Sequence, residues 1–136
     1  MTDTLTPAQR RRTMQAVKSA DTKPELLVRR RLHALGYRYR LHDRRLPGKP
    51  DLVFSRRRTV VFVHGCFWHG HACARGARRP AANRDYWAGK IARNRARDAA
   101  NREALEAMGW RVLTVWECEL RDADAAVARL VAALGP

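Results

Sequence analysis

Between residues 64 and 73 the chain reads His64-Gly65-Cys66-Phe67-Trp68-His69-Gly70-His71-Ala72-Cys73, three histidines and two cysteines in ten residues. A third cysteine, Cys118, lies far downstream, just beyond an apolar run. Four soft or borderline donors close one tetrahedral structural zinc, and Cys66, His71, Cys73 and Cys118 can supply them. The Cys-x4-His-x-Cys spacing is not that of a standard finger. The other use of three reduced cysteines is as small apolar core residues. Gly65, Gly70 and Gly76 leave this stretch too poor in apolar side chains to form a core alone, which favours a metal. His64 and His69 then remain for proton transfer, since imidazole titrates near neutral pH.

Pro50-Asp51 stands where a loop enters an apolar strand, and Phe62-Val63-His64 follows one strand later. A strand-edge carboxylate facing a polar group on the neighbouring strand can hold a divalent metal against a phosphate, where it activates water and neutralises charge. The spacing resembles the PD-(D/E)xK nucleases, with Phe62 where their second acid stands and His64 where their Lys stands. The plainer reading of Asp51 is a turn residue that caps its loop. Phe67-Trp68 and Trp87, close to arginines, have the ring size to stack on bases or wedge between them. Their alternative is packing of the loop against the sheet, the stronger reading for Trp110 and Trp116.

The elements that must carry these residues follow from local signals. A helix is expected from Pro7 to about Ser19, capped by Thr6. A second starts at Thr22-Lys23-Pro24-Glu25, a capping box with Pro in the first turn, presents Leu26, Leu27, Leu32 and Leu35, and ends at Gly36. Tyr37 to Leu41 alternates as a half-exposed strand. Leu46 to Pro50 is a turn, Asp51 to Phe54 a short buried strand, and the β-branched run Thr59 to His64 a central strand. Gly65 to Ala82 reads as irregular. A long helix follows from about Arg84 to Met108, stopped by Gly109, then a strand over Arg111 to Trp116 and a closing helix over Asp122 to Leu134. The order α-α-β-β-β-α-β-α is buried most economically as one sheet with helices on both faces, the last strand parallel to the one before the long helix.

The 136 residues are a single-domain length, and 28 Lys+Arg against 13 Asp+Glu leave a formal charge of +15. A polyanion is the natural partner, and nucleic acid is the commonest. Arg outnumbers Lys 24 to 4; composition bias explains that ratio but not the uncompensated charge. Apolar residues at 46% exclude general disorder. No run approaches the roughly 20 apolar residues of a membrane span, and Met1 to Arg12 lacks a signal-peptide core. An odd cysteine count argues against a disulfide framework. A small cytosolic protein without membrane attachment is expected.

The segments LPGKPDLVF, VVFVHGCFWHGHAC, YWAGKIARNRARD and LEAMGWRVLTVWECEL together closely resemble the very short patch repair (Vsr) mismatch endonucleases, from RRTMQAVKSADTKPE to Leu120. The resemblance implies one α/β domain over residues 1–136 with a restriction-endonuclease-like, PD-(D/E)xK-type core. Its mixed central sheet would be flanked by helices and carry a structural zinc loop, with residues 1–20 forming a DNA-contacting helix. It implies a monomer that nicks double-stranded DNA 5′ of the thymine in T:G mismatches left by 5-methylcytosine deamination. Mg2+ would serve catalysis, Zn2+ structure, and a cytosine-5 DNA methyltransferase would share the target sequence in the cytoplasm, at the nucleoid.

By the same resemblance Asp51 is the magnesium ligand, helped by the main-chain carbonyl of Val63, and His64 and Glu25 hold metal-bound water. His69 transfers a proton and Asp98 orients it. The zinc ligands are Cys66, His71, Cys73 and Cys118. Phe67, Trp68 and Trp87 form a wedge beside the mismatch, and Met14 enters from the other groove. Val63 replaces a common Thr, which a main-chain ligand tolerates; Gly70 and Ala72 replace histidines of some members. Glu25 keeps its capping-box reading. A zinc-containing DNA-binding module without catalysis and a less selective restriction-type nuclease are the rival functions.

Overall fold

The structure, a computed structural model, describes residues 21–77 and 82–136. The helix expected over residues 7–19, with Met14, lies outside the described residues. Helix α1 (Lys23–Ala34) leads to strands β1 (Arg40–Leu41), β2 (Leu52–Phe54) and β3 (Thr59–His64). A single helical turn, Ala74–Ala77, precedes the long helix α2 (Arg84–Ala107), strand β4 (Arg111–Trp116), a 3-10 helix over Glu117–Asp122 and helix α3 (Ala123–Leu134).

The four strands form one mixed sheet in the order β1-β2-β3-β4. β1–β2 and β2–β3 are antiparallel, and β3 pairs with β4 in parallel from Thr59↔Arg111 to His64↔Trp116. Strand alternation divides the core in two. Leu52, Phe54, Val61 and Val115 meet Val28 and Leu32 of α1 and Val127, Leu130 and Leu134 of α3 on one face. Val53, Val60, Phe62 and Val112 meet Leu105 of α2 on the other. The expected sheet with helices on both faces is what forms. Among the described residues no helix is long and apolar enough to cross a membrane.

Several local expectations are corrected. The buried stripe of α1 is Glu25, Val28 and Leu32 rather than four leucines, and Leu35 is an exposed cap residue. A carboxylate takes an inward position there, held by Arg29 and His42. Only Arg40–Leu41 of the expected 37–41 strand enters the ladder. Tyr37 and Tyr39 turn their rings onto Phe54, centroids 6.2 and 5.7 Å away, and give their hydroxyls to the carbonyls of Gly135 and Arg29. β2 starts at Leu52, because beyond it the Asp51 side chain, not a backbone carbonyl, takes the N–H of Val63 on β3. The 3-10 helix is an addition to the expected elements; it starts where Glu119 accepts the Trp116 N–H at 3.0 Å. Gly36 and Gly109, both at positive φ, end α1 and α2 as read, each followed by a residue whose N–H returns to the helix, Tyr37 to Leu32 O and Trp110 to Leu105 O.

Part of the arginine excess is used inside the fold. Arg58 donates to Met108 O at the end of α2 and covers the Trp110 ring. Arg57 donates to Leu134 O and Pro136 O, and Arg111 to Ala133 O, at the end of α3. Cations at helix C-termini satisfy the last carbonyls and the negative pole of the dipole. An Arg31–Asp124 ion pair joins α1 to α3.

Leu32 is fully buried between α1, the sheet and α3. Leu32→Ala is expected to lower stability by about 2–5 kcal/mol through lost transfer energy and a residual cavity, read as a fall in the urea midpoint. An unchanged midpoint would show that α1 does not seal this face.

Candidate active site

Glu25 is 1% exposed, and a buried carboxylate must be paired. Its Oε2 accepts the Nε2–H of His42 at 2.8 Å and a guanidinium N–H of Arg29 at 3.1 Å. Its backbone N–H goes to Thr22 Oγ1 at 3.4 Å, so Thr22 is the helix cap, as expected. The reciprocal half of the capping box is absent, because the Glu25 side chain faces the core. Arg29 also binds Asp21 at 2.6 Å, so the Asp21–Glu25–His42 group, close enough to hold a cation, already has one beside both of its carboxylates.

The Asp51 carboxylate meets this group from the start of β2. Its Oδ2 accepts the Val63 N–H at 2.7 Å, and the nearby Glu25 carboxyl makes it harder to ionise. Burial pushes the Asp51 carboxyl up to about 7, against the pull of the Val63 N–H and with help from Glu25. Two carboxyls facing each other out of water favour a shared proton or a cation. Their hard oxygen donors fit a divalent ion of the magnesium type.

His64 ends β3, on the face that looks toward α2. The His69 ring lies flat on it, centroids 3.8 Å apart and planes within 3°. Asp98, from α2, takes His69 Nδ1 at 2.6 Å. Phe62 and Trp116 close on His64 at 5.4 and 5.2 Å. Burial, with His69 adding to it, drives His64 down to about 4, so this ring is neutral at neutral pH. The sequence named Asp51, Glu25, His64, His69 and Asp98; the fold brings Asp51 to Val63 with Glu25 beside it, and the His69–Asp98 pair to His64, the next residue. A cavity of about 190 Å³ opens beside this pair, with Asp98, Asn101, Thr114 and Trp116 in its wall.

Beyond His64 the chain turns through the cysteine loop. The donor atoms of Cys66, His71, Cys73 and Cys118 all lie within 4.8 Å of one another. Tetrahedral zinc with thiolates needs donor separations of about 3.8 Å, so this closed Cys3His set fits the ion. The Gly76 N–H on Cys73 Sγ draws that thiol down to about 6, toward the thiolate a metal needs, whereas burial raises Cys66 to about 12. Gly76 is obligatory here, since a Cβ would sit 1.9 Å from His71 O. Trp116 stacks on His71 at 4.2 Å and stands edge-on to His64, so one ring joins the cysteine loop to the histidine pair. Its sequence reading as plain strand packing missed this.

Phe67, Trp68 and Trp87 form a triangle of edge-on rings with centroids 5.3–5.7 Å apart, all half-buried. Tyr86, exposed, extends it. Lys90 lies over Trp68, and Asn94 donates to Trp68 O at 2.8 Å. Tyr86, Lys90, Asn94, Arg29 and His42 escaped the sequence reading. Helical spacing from Trp87 to Lys90 and Asn94 would have flagged two of them; nothing local marks His42.

The sequence model of the family described as DNA mismatch endonuclease Vsr matches residues 2–75. The chain is 56% identical over 136 residues to the Type II nicking enzyme V.XorIIP of Xanthomonas oryzae pv. oryzae, covering 100% of this chain and 99% of that protein. It is 49% identical over 122 residues to the Type II nicking enzyme V.NmeAIP of Neisseria meningitidis, 90% of this chain and 86% of the relative. It is 41% identical over 121 residues to DNA mismatch endonuclease Vsr of Escherichia coli strain K12, 89% and 77% of the two chains.

A carboxyl raised to about 7 holds its proton more tightly folded than unfolded, so its contribution to stability is lost as pH rises from about 4 to about 7. Asp51→Asn keeps an acceptor for the Val63 N–H and removes the charge. In Mg2+-free buffer it should melt on the order of 5 °C above the wild type at pH 8, and the gap should narrow at pH 5.5. His64 titrates alike in both proteins and cancels. A gap that is absent or independent of pH would contradict the packing of Asp51.

Proposed function

The chain belongs to the DNA mismatch endonuclease Vsr family and is an endonuclease acting on DNA, and on that footing we propose that it nicks duplex DNA at T:G mismatches left by 5-methylcytosine deamination. Water attacks the phosphorus 5′ to the mismatched thymine and the bond to O3′ breaks, leaving a 3′-hydroxyl and a 5′-phosphate. The observation that carries this reading is the meeting of a carboxyl pair, Asp51 with Glu25, and a carboxylate-oriented histidine, His69 with Asp98, at the end of one strand. The α/β core is then of the PD-(D/E)xK type, with His64 in the place of the Lys.

Asp51, with the main-chain carbonyl of Val63, would hold Mg2+, which when bound neutralises phosphate charge and acidifies water. Glu25 and His64 hold water beside Asp51. Asp98 takes up Nδ1 of His69, which fixes the ring and leaves Nε2 as the atom that moves a proton. Cys66, His71, Cys73 and Cys118 would hold Zn2+ in a site with no open position, a structural role.

Phe67, Trp68 and Trp87 select the mismatch by entering the duplex beside it, with Met14 from the opposite groove. Separating a base step costs a few kcal/mol, less at a mismatch, and ring–base stacking returns about 1–3 kcal/mol per base. The enzyme acts as a monomer in the cytoplasm, at the nucleoid, on sites shared with a cytosine-5 methyltransferase.

The test is nicking of matched and T:G duplexes with and without Mg2+. Asp51→Ala should abolish nicking while keeping DNA affinity, because removing a carboxylate does not weaken attraction to phosphates. Near-normal turnover by this variant would remove Asp51 from the site. Cleavage of T:A as readily as T:G by the wild type would favour the less selective nuclease.

Trp68→Ala should lower T:G cleavage and shrink its ratio to T:A cleavage, with non-specific binding nearly unchanged. If Trp68 served only as packing, the variant would lose on the order of 3–5 kcal/mol of stability with an unaltered ratio. Melting temperature and cleavage ratio, measured side by side, decide between these outcomes.

A further inference from the structure

His42 has no place in the chemistry above, yet it touches both carboxyl-bearing residues. Its backbone N–H donates to Asp51 O at 3.2 Å, and its ring Nε2–H donates to Glu25 Oε2 at 2.8 Å. It does so from the left-handed region, φ +47°, which non-glycine residues seldom occupy. The backbone at this position therefore holds an unusual conformation while its two donors reach carboxyl-bearing residues on either side. Arg29 already pairs with Glu25 from one turn away, so the charge of Glu25 does not require His42. What His42 adds is a second donor on the same oxygen. Both donors fall on Oε2, and neither uses Oε1.

We propose that His42 is a positioning residue that joins the loop entering β2 to α1 and so sets the separation and rotation of the Glu25 and Asp51 carboxylates that receive the divalent cation. The assignment rests on the reading of that pair as the catalytic metal site. Partners that orient metal-binding carboxylates are worth about 10–100-fold in metal affinity or activity. His42 stands in the same relation to Glu25 as Asp98 to His69: each holds an acting group from a different element and leaves its working atom open.

Two substitutions separate the ring from the backbone. Asn tolerates the left-handed conformation but reaches only as far as the Nδ1 position of His. Gln places its amide N–H near the Nε2 position. The full chain, with its resident metal retained, is titrated with Mg2+, and both the Mg2+-dependent rise in melting temperature and the Mg2+ needed for half-maximal nicking are read. His42→Asn should shift both midpoints upward by about 10–100-fold, and His42→Gln should restore them close to wild type. Comparing midpoints rather than absolute melting temperatures keeps the test valid if the Asn variant is less stable. Wild-type midpoints in His42→Asn would overturn the assignment, and so would equal weakening of both variants, because Gln retains the donor. A wild-type chain that shows no response to Mg2+ in either measurement would overturn the catalytic metal reading itself, and this assignment with it.

Discussion

The hydrogen bond from the Val63 N–H to the Asp51 carboxylate is the joint on which the site depends. The β2–β3 ladder ends at Leu52↔Val61, and beyond it a side chain rather than a backbone carbonyl takes the next inward N–H. That exchange fixes a carboxylate one residue from His64. Just beyond it β3, still paired to β4 at His64↔Trp116, enters the cysteine loop, in which His69 returns over His64 and His71 meets Trp116. An ordinary ladder continued through Asp51 would satisfy the same N–H but turn the carboxylate away from it.

The site is assembled at some expense to the core. Glu25 occupies a fully buried place in the stripe of α1 where a leucine pattern would be more stable, and Asp51 and His64 are both moved from their usual titration ranges by burial. The two shifts run in opposite directions on the pH scale but act alike on charge, since burial disfavours the ionised form of each. The carboxyl is held toward its neutral form and the imidazole is held neutral, so neither is settled in an ion pair. Local rules fail at functional positions for this reason.

Much of this was legible in the sequence because the signals were local. The β-branched run of β3, the glycines that end α1 and α2, and the clustered His and Cys residues each announce themselves within a few positions. Asp51, His64, His69, Trp87 and the four donors of the cysteine cluster could be named from residue type and spacing, and the roles of Glu25 and Asp98 through family resemblance. The first strand was over-read, because the alternation of Tyr37 and Tyr39 reflects two rings packed on Phe54 rather than a paired edge. Glu25 carried two readings, and its capping-box pattern is half real: the cap exists, but the acid points inward. His42 was invisible because its significance lies in a contact 17 residues away and a backbone angle no composition reveals.

The arginines that close the ends of α2 and α3 change how the charge of +15 should be understood. Arg57, Arg58 and Arg111 each spend one or two N–H donors on carbonyls near helix ends, which fixes where their heads lie instead of leaving them free to seek phosphates. Counterion release on DNA binding counts contacts with phosphate, not formal charge. The slope of log affinity against log salt for this protein is therefore set by a subset of its basic residues. Replacing these three arginines with lysine would preserve the net charge yet forfeit the planar, multi-donor head that lets Arg58 bind a carbonyl and cover Trp110 together.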